Sequence, residues 1–168
     1  TKVVEKLFYE LTSTDKHKEL LERITASTVR DWCQDFLSDH ERKLDFSAAE
    51  TQLSSAISEK VPRDADYFFM KQENFIKTEI SQVIKGRGVG SWKEYNQIAR
   101  VGRGQPLHKN ARRIIWDVYQ DYQQRLAEKG IMDEWDLVLE SLYTIKRIGK
   151  AFEPYPEVVI DEAQDLTP

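Results

Sequence analysis

The sequence predicts a mainly α-helical protein that carries pieces of a β-sheet only near its two ends. Three observations lead there. Apolar residues recur every three or four positions over most of the 168 residues, the spacing of one buried helix face. The segments so marked begin near Ser, Asp or Pro and stop at Gly, the residues that open and close helices. Short runs rich in β-branched residues are confined to Ile24–Thr28 and Val158–Ile160, and both read as edge pieces of a sheet whose other strands are missing.

Taken in order, Val3, Val4, Leu7, Phe8 and Leu11 predict an amphipathic helix over the first dozen residues, ending near Ser13-Thr14-Asp15. After the Ile24–Thr28 strand, Val29, Trp32, Cys33, Phe36 and Leu37 repeat helical spacing, with Asp31 placed to suit the positive end of the helix dipole. A weaker helix is expected over 43–59. Pro62-Arg63-Asp64 suggests a helix start with Asp64 as cap, and Phe68, Phe69, Phe75, Ile76, Ile80, Val83 and Ile84 carry its stripe until Gly86, Gly88 and Gly90 end it. Ser91 and Glu94 have the spacing of a capping box, and the helix they open is expected to reach about Val101. A long helix follows from about Lys109 to Lys129, stopped by Gly130, and Asp133 caps a last one reaching about Ile148 before Gly149. No repeat of 20–50 residues is visible.

Forty per cent of the residues are apolar and aromatic residues are plentiful, enough to bury a core and to argue against disorder throughout. The single cysteine, Cys33, has no partner for an intramolecular disulfide and is expected to be a small buried hydrophobe. Without a signal-peptide pattern or an apolar run long enough to cross a bilayer, a reducing cytoplasmic setting and no membrane partner are expected, with association with the nucleoid in a bacterium. His17, His40 and His108 lack the spacing and cysteine partners of a metal site and are expected at the surface.

Charge is uneven. The chain is at −4 overall, yet between residues 85 and 113 eight bases (Lys85, Arg87, Lys93, Arg100, Arg103, Lys109, Arg112 and Arg113) face one acid, Glu94. That window is at +7 and the remainder at −11, which suggests a local contact with a polyanion. Its glycines would let backbone amides approach a phosphate, and such contacts position nucleic acid without reading its sequence. Trp92, Tyr95 and Trp116 lie among these charges, but their spacing is that of a core-facing helix, and core is the expectation for them.

The most specific signal is at the end of the chain. Val158-Val159-Ile160 leads into Asp161-Glu162-Ala163-Gln164-Asp165, an apolar strand running into an acidic loop. A first carboxylate in such a place can hold hydrated Mg²⁺ and a second can activate a water. Four fixed positions, each about 5% common, match by chance on the order of once in 10⁵ starts. The segment resembles motif II, the Walker B element, of UvrD/Rep-type superfamily 1 helicases.

The order of elements is similar to that family across nearly the whole chain. Ile24-Thr25-Ala26-Ser27-Thr28-Val29 resembles the strand and Thr of motif Ib, although Arg30-Asp31 stands where the family often has His-Ser or His-Ala. Tyr95, Arg100, Gly102, Arg103 and Gly104 resemble a Tyr-x₄-Arg-x-Gly-Arg-Gly stretch, and Trp135-Asp136 resembles the family's aromatic-acidic start to the last helix. The resemblance implies that 1–37 and 151–168 are parts of a RecA-like domain 1A and that 38–150 is the inserted helical subdomain 1B. It implies Mg²⁺ coordination through water by Asp161, catalysis by Glu162 as base, and coupling of hydrolysis to movement by Gln164 and Asp165. The implied cofactors of the intact parent are ATP and Mg²⁺, and its partners are DNA at a single-strand/duplex junction and the remaining helicase domains.

No Gly-x₄-Gly-Lys-Ser/Thr loop occurs: Gly149-Lys150 has Thr144 and Ala151 where Gly and Ser or Thr belong. Because of this, and because it opens without Met and closes just after the acidic run, the chain is expected to be an excised fragment, inactive alone and with no cofactor bound. The alternative is a non-enzymatic helical module that binds nucleic acid or protein. A metal-dependent nuclease built on Asp161, Glu162 and Asp165 is a third reading.

Overall fold

A computed structural model describes residues 24–64, 72–99 and 107–161. The helix expected within the first dozen residues, and Phe68 and Phe69 of the apolar stripe, lie outside these. The described chain is mainly helical, as expected.

Helix α1, Val29–Phe36, starts because the Thr28 side chain accepts a hydrogen bond from the Asp31 amide at 3.0 Å. That corrects the expected strand at Ile24–Thr28, which forms no strand among the described residues. An isolated extended run has no ladder to satisfy its amides, and the Thr28 hydroxyl is better spent as a helix cap. The chain then makes a two-residue strand, β1 (Lys43–Leu44), and helix α2 (Phe46–Lys60), with Asp45 accepting from the Ala48 amide. Among the described residues the one sheet is β1 paired in parallel with β2 (Ile131–Met132), Lys43 opposite Ile131 and Leu44 opposite Met132.

Asp64 lies in a turn. Helix α3, Glu73–Thr78, continues directly into a π-helical segment, Glu79–Lys85, whose wider turn brings Val83, Ile84 and Lys85 all to the inside. At its end Gly86 approaches the preceding turn so closely that an added Cβ would lie 2.8 Å from the Gln82 carbonyl oxygen. Helix α4, Trp92–Gln97, has the predicted capping box but stops short of Val101, with Ile98 already extended. The reason is tertiary: the Arg112 guanidinium donates to the carbonyls of Tyr95 and Ile98, leaving no requirement for a further helical turn to satisfy them.

Helix α5, Lys109–Glu128, is the central element. Ala111, Ile115, Val118, Tyr122 and Leu126 recur down its buried side and meet Ala49, Leu53, Ala56 and Ile57 of α2, the most extensive helix pair. The alanines of α2 let the two backbones come close. Ile76, Ile80, Val83 and Ile84 close the core from another side. Gly130, at φ 64°, ends α5 in a left-handed conformation that costs other residues about 1 kcal/mol or more. Helix α6, Glu134–Ile148, opens with a second capping box, Asp133 and Asp136, and ends at Gly149. A smaller core joins α1 to the start of α6 through Cys33, Leu37, Met132 and Leu137. Burial pushes the Cys33 thiol up, only partly offset by Ser141, so it behaves as the small hydrophobe expected of it. No helix among the described residues is long and apolar enough to cross a membrane.

Candidate functional site

The residues singled out from sequence fall mainly in two places. The first is the approach to the acidic run. After α6 a short 3₁₀ turn, Gly149–Ala151, leads to a segment tied back onto α1. The Phe152 ring meets Phe36 edge-on at 6.0 Å between centroids, and the Trp32 indole N–H donates to the Tyr155 hydroxyl at 2.9 Å. Trp32 in turn stacks on Phe36 at 5.0 Å. This aromatic clasp fixes the chain six residues before Asp161.

Beyond it, Val158, Val159 and Ile160 are exposed by 68, 97 and 53% and form no strand. The expected strand is therefore corrected: its three β-branched residues favour extension, but among the described residues no neighbouring strand lies alongside to pair with them. Asp161 is exposed at the end of this segment. Glu162, Gln164 and Asp165 lie outside the described residues. No group of three His, Cys, Asp or Glu side chains that could enclose a metal ion occurs among the described residues. Asp161 offers the hard oxygen that suits Mg²⁺ held through water, a mode that needs few protein ligands.

The second place is the basic window, which the structure divides. Lys93 and Lys109 are exposed and pair with no described acid. Arg113 is half-exposed, paired with Asp117 at 3.1 Å and poised 5.2 Å over the Trp92 ring. Arg87 donates to the Ala99 carbonyl. Arg112 is consumed by structure, bonding the carbonyls of Tyr95, Ile98 and Leu107 and lying over the Tyr95 ring. Arg100 and Arg103 lie outside the described residues. The expectation of core positions is met by Tyr95 and Trp116, both buried, while Trp92 packs at the margin of the core.

Lys85 departs furthest from its expected place on a DNA-facing surface. Its side chain is 0% exposed, and its ammonium lies 2.5 Å from Asp133 Oδ2 and 2.8 Å from Asp136 Oδ1, over the Tyr122 ring. An exposed cation can release counterions from DNA; one enclosed by two carboxylates cannot. The Tyr122 hydroxyl donates to Asp133 at 2.7 Å, the Gln123 amide to Asp136, and Arg42 reaches Asp136 at 3.6 Å. Burial pushes the Asp133 carboxyl up, but the Lys85 ammonium, the Asp136 amide and the Tyr122 hydroxyl together outweigh it and hold the carboxyl low. Burial, followed by the Asp133 charge, pushes the Tyr122 phenol far up. The same two aspartates cap α6, so this network locks the end of the π segment to the start of the helix that leads towards Asp161. Sequence inspection found the cap but not the ion triad; the only local signal was that Lys85 directly follows the apolar pair Val83-Ile84.

Of the histidines, His40 is half-buried, accepting from the Arg42 amide, and His108 is exposed at the start of α5. No curated protein and no solved structure matches the chain. A family model, the UvrD/REP helicase N-terminal domain, matches residues 2–168.

Proposed function

Since the chain belongs to the UvrD/REP helicase N-terminal domain family, we propose that it supplies the Walker B acids and part of the DNA-contacting surface of an ATP-dependent DNA helicase or translocase. The observation that carries this reading is the coincidence of Asp-Glu-x-Gln-Asp at 161–165 with a family match running through those residues. In this reading 1–37 and 151–168 belong to a RecA-like domain 1A and 38–150 to subdomain 1B.

The P-loop of the parent would come from sequence other than these residues. When bound there, Mg-ATP supplies the phosphoanhydride bond whose cleavage drives movement. Asp161 would hold the ion through water, Glu162 would accept the proton of the attacking water, and Gln164 and Asp165 would relay the state of the nucleotide site to the DNA site. The aromatic clasp of Trp32, Phe36, Phe152 and Tyr155 supports the positioning part of this proposal, since it anchors the segment that carries Asp161. On the DNA side, Arg87, Lys93, Lys109 and Arg113 remain at or near the surface and would contact phosphates. Lys85 and Arg112 would instead shape the fold behind them.

The test uses the P-loop-containing parent with Glu162→Gln. Loss of DNA-stimulated ATP hydrolysis with nucleotide binding intact is expected; hydrolysis at the wild-type rate would remove Glu162 from the mechanism. For the DNA surface, Lys93→Gln/Arg113→Gln should weaken binding of a tailed duplex and lower its salt dependence by about two contacts, whereas unchanged binding would exclude it.

A further inference from the structure

The last two turns of α6 carry a surface that the basic window does not include. Tyr143, Lys146 and Arg147 follow one another at the spacing of a single helix face, and Lys150 follows in the next turn. All four are exposed, Tyr143 by 52%. Several cations on other helices are neutralised, Arg30 by Glu134, Lys77 by Glu73 and Arg125 by Asp121 and Glu59, whereas Lys93 and Lys109 are not. Lys146, Arg147 and Lys150 pair with no described acid, and Glu140 earlier on α6 is engaged by Arg42.

Basic residues in a last turn also suit the helix dipole. That accounts for Lys146 and Arg147, but not for an aromatic ring and the neighbouring Leu142, 48% exposed, held out in water beside them.

We infer that the C-terminal face of α6, Tyr143 with Lys146, Arg147 and Lys150, is a contact for single-stranded nucleic acid, additional to the Lys93–Arg113 surface. Free cations would track the phosphates, and Tyr143 would offer a base a stacking platform, the combination that suits an unpaired strand. A duplex keeps its bases stacked on one another and gains nothing from the tyrosine. The inference rests on the proposed DNA-contacting role, and its test separates the two.

Fluorescence anisotropy would follow a labelled oligo-dT strand and a blunt duplex of equal length at several salt concentrations. The proteins are wild type, Lys146→Gln/Arg147→Gln/Lys150→Gln, Tyr143→Ala and Lys93→Gln/Arg113→Gln, with far-UV circular dichroism showing that each is folded. The triple variant should bind oligo-dT more weakly, with the slope of log affinity against log salt reduced by about 2. Tyr143→Ala should weaken oligo-dT binding about tenfold with its salt slope unchanged. Wild-type affinity in both α6 variants, with loss only in Lys93→Gln/Arg113→Gln, would overturn this inference and leave the proposed surface standing. Loss confined to the duplex would overturn the single-strand assignment, and displacement of oligo-dT by an equal length of poly-glutamate at the same concentration would point to an acidic protein partner instead. Oligo-dT binding lost in the α6 variants but not in Lys93→Gln/Arg113→Gln would keep the α6 contact and overturn the other.

Discussion

Replacing Lys85 with Met tests the account of the buried ion triad most directly. Met keeps an apolar stem of similar length buried near the Tyr122 ring while removing the charge. It strands two carboxylates, whose side chains are only 17 and 7% exposed, opposite one another. Removing one partner of a buried pair costs about 3–5 kcal/mol. Here Arg42, 3.6 Å from Asp136, and the hydrogen bonds from Tyr122 and Gln123 remain, which places the expected loss near the lower end, about 3 kcal/mol. Against a typical total of about 5–15 kcal/mol this is a large fraction.

Urea unfolding followed by tryptophan fluorescence and circular dichroism reads the loss as a lower midpoint. Lys85→Met/Asp133→Asn/Asp136→Asn, which keeps both caps but strands no charge, should recover most of it. The pH dependence carries a sign. In the wild type the Asp133 carboxyl is held low, so its contribution is present above the ordinary carboxylate range and is lost as pH falls through its folded pKa. In Lys85→Met the same burial acts without the ammonium and raises that carboxyl, so protonation relieves the damage. The gap between the two proteins should therefore narrow as pH is lowered from 7 towards 4. A loss under about 1 kcal/mol at pH 7, or a gap that widens in acid, would refute this account of the triad.

Other perturbations follow from single features of the fold. Ile115→Ala should cost about 2–5 kcal/mol, because the side chain is fully buried at the centre of α5; a smaller loss in urea unfolding would mean the core collapses around it. Gly130→Ala should cost about 1–2 kcal/mol although nothing lies within 4 Å of the added Cβ, the cost arising from φ 64° alone; a thermal melt unchanged from wild type would remove that cause. Ser91→Ala should cost about 1 kcal/mol and raise hydrogen exchange at the start of α4, where Glu94 would lose its reciprocal cap. Unchanged exchange there would mean that packing of Tyr95 and Trp92 suffices to hold the helix.

The local signals proved the most legible. Ser91-x-x-Glu94 and Asp133-x-x-Asp136 satisfy orphan amides within four residues, and Gly130 stops α5 by its own conformational freedom, so each boundary is written where it occurs. In α5 the apolar residues Ile115, Val118, Tyr122 and Leu126 are buried, as the 3.6-residue repeat of a straight α-helix implies, while Ile114 and Tyr119 are only partly so. Asp161 to Asp165 stood out for the same reason, being a pattern complete within five residues.

What the sequence by itself determined is the helices around Val29–Leu37, Ser91–Gln97, Lys109–Lys129 and Asp133–Ile148, the caps Ser91 and Asp133, and the acidic motif, all of which depend on neighbours a few positions away. Tertiary structure alone decided that Lys85 turns inward, since the π segment breaks the 3.6-residue period and its two carboxylates lie 48 and 51 positions further on. It decided that Arg112 ends α4 instead of facing a phosphate, and that Lys43–Leu44 and Ile131–Met132 pair while Ile24–Thr28 and Val158–Ile160 form no strand among the described residues. A strand or a buried charge exists only where a distant segment meets its hydrogen-bonding or electrostatic demand, and no short stretch of sequence contains that partner.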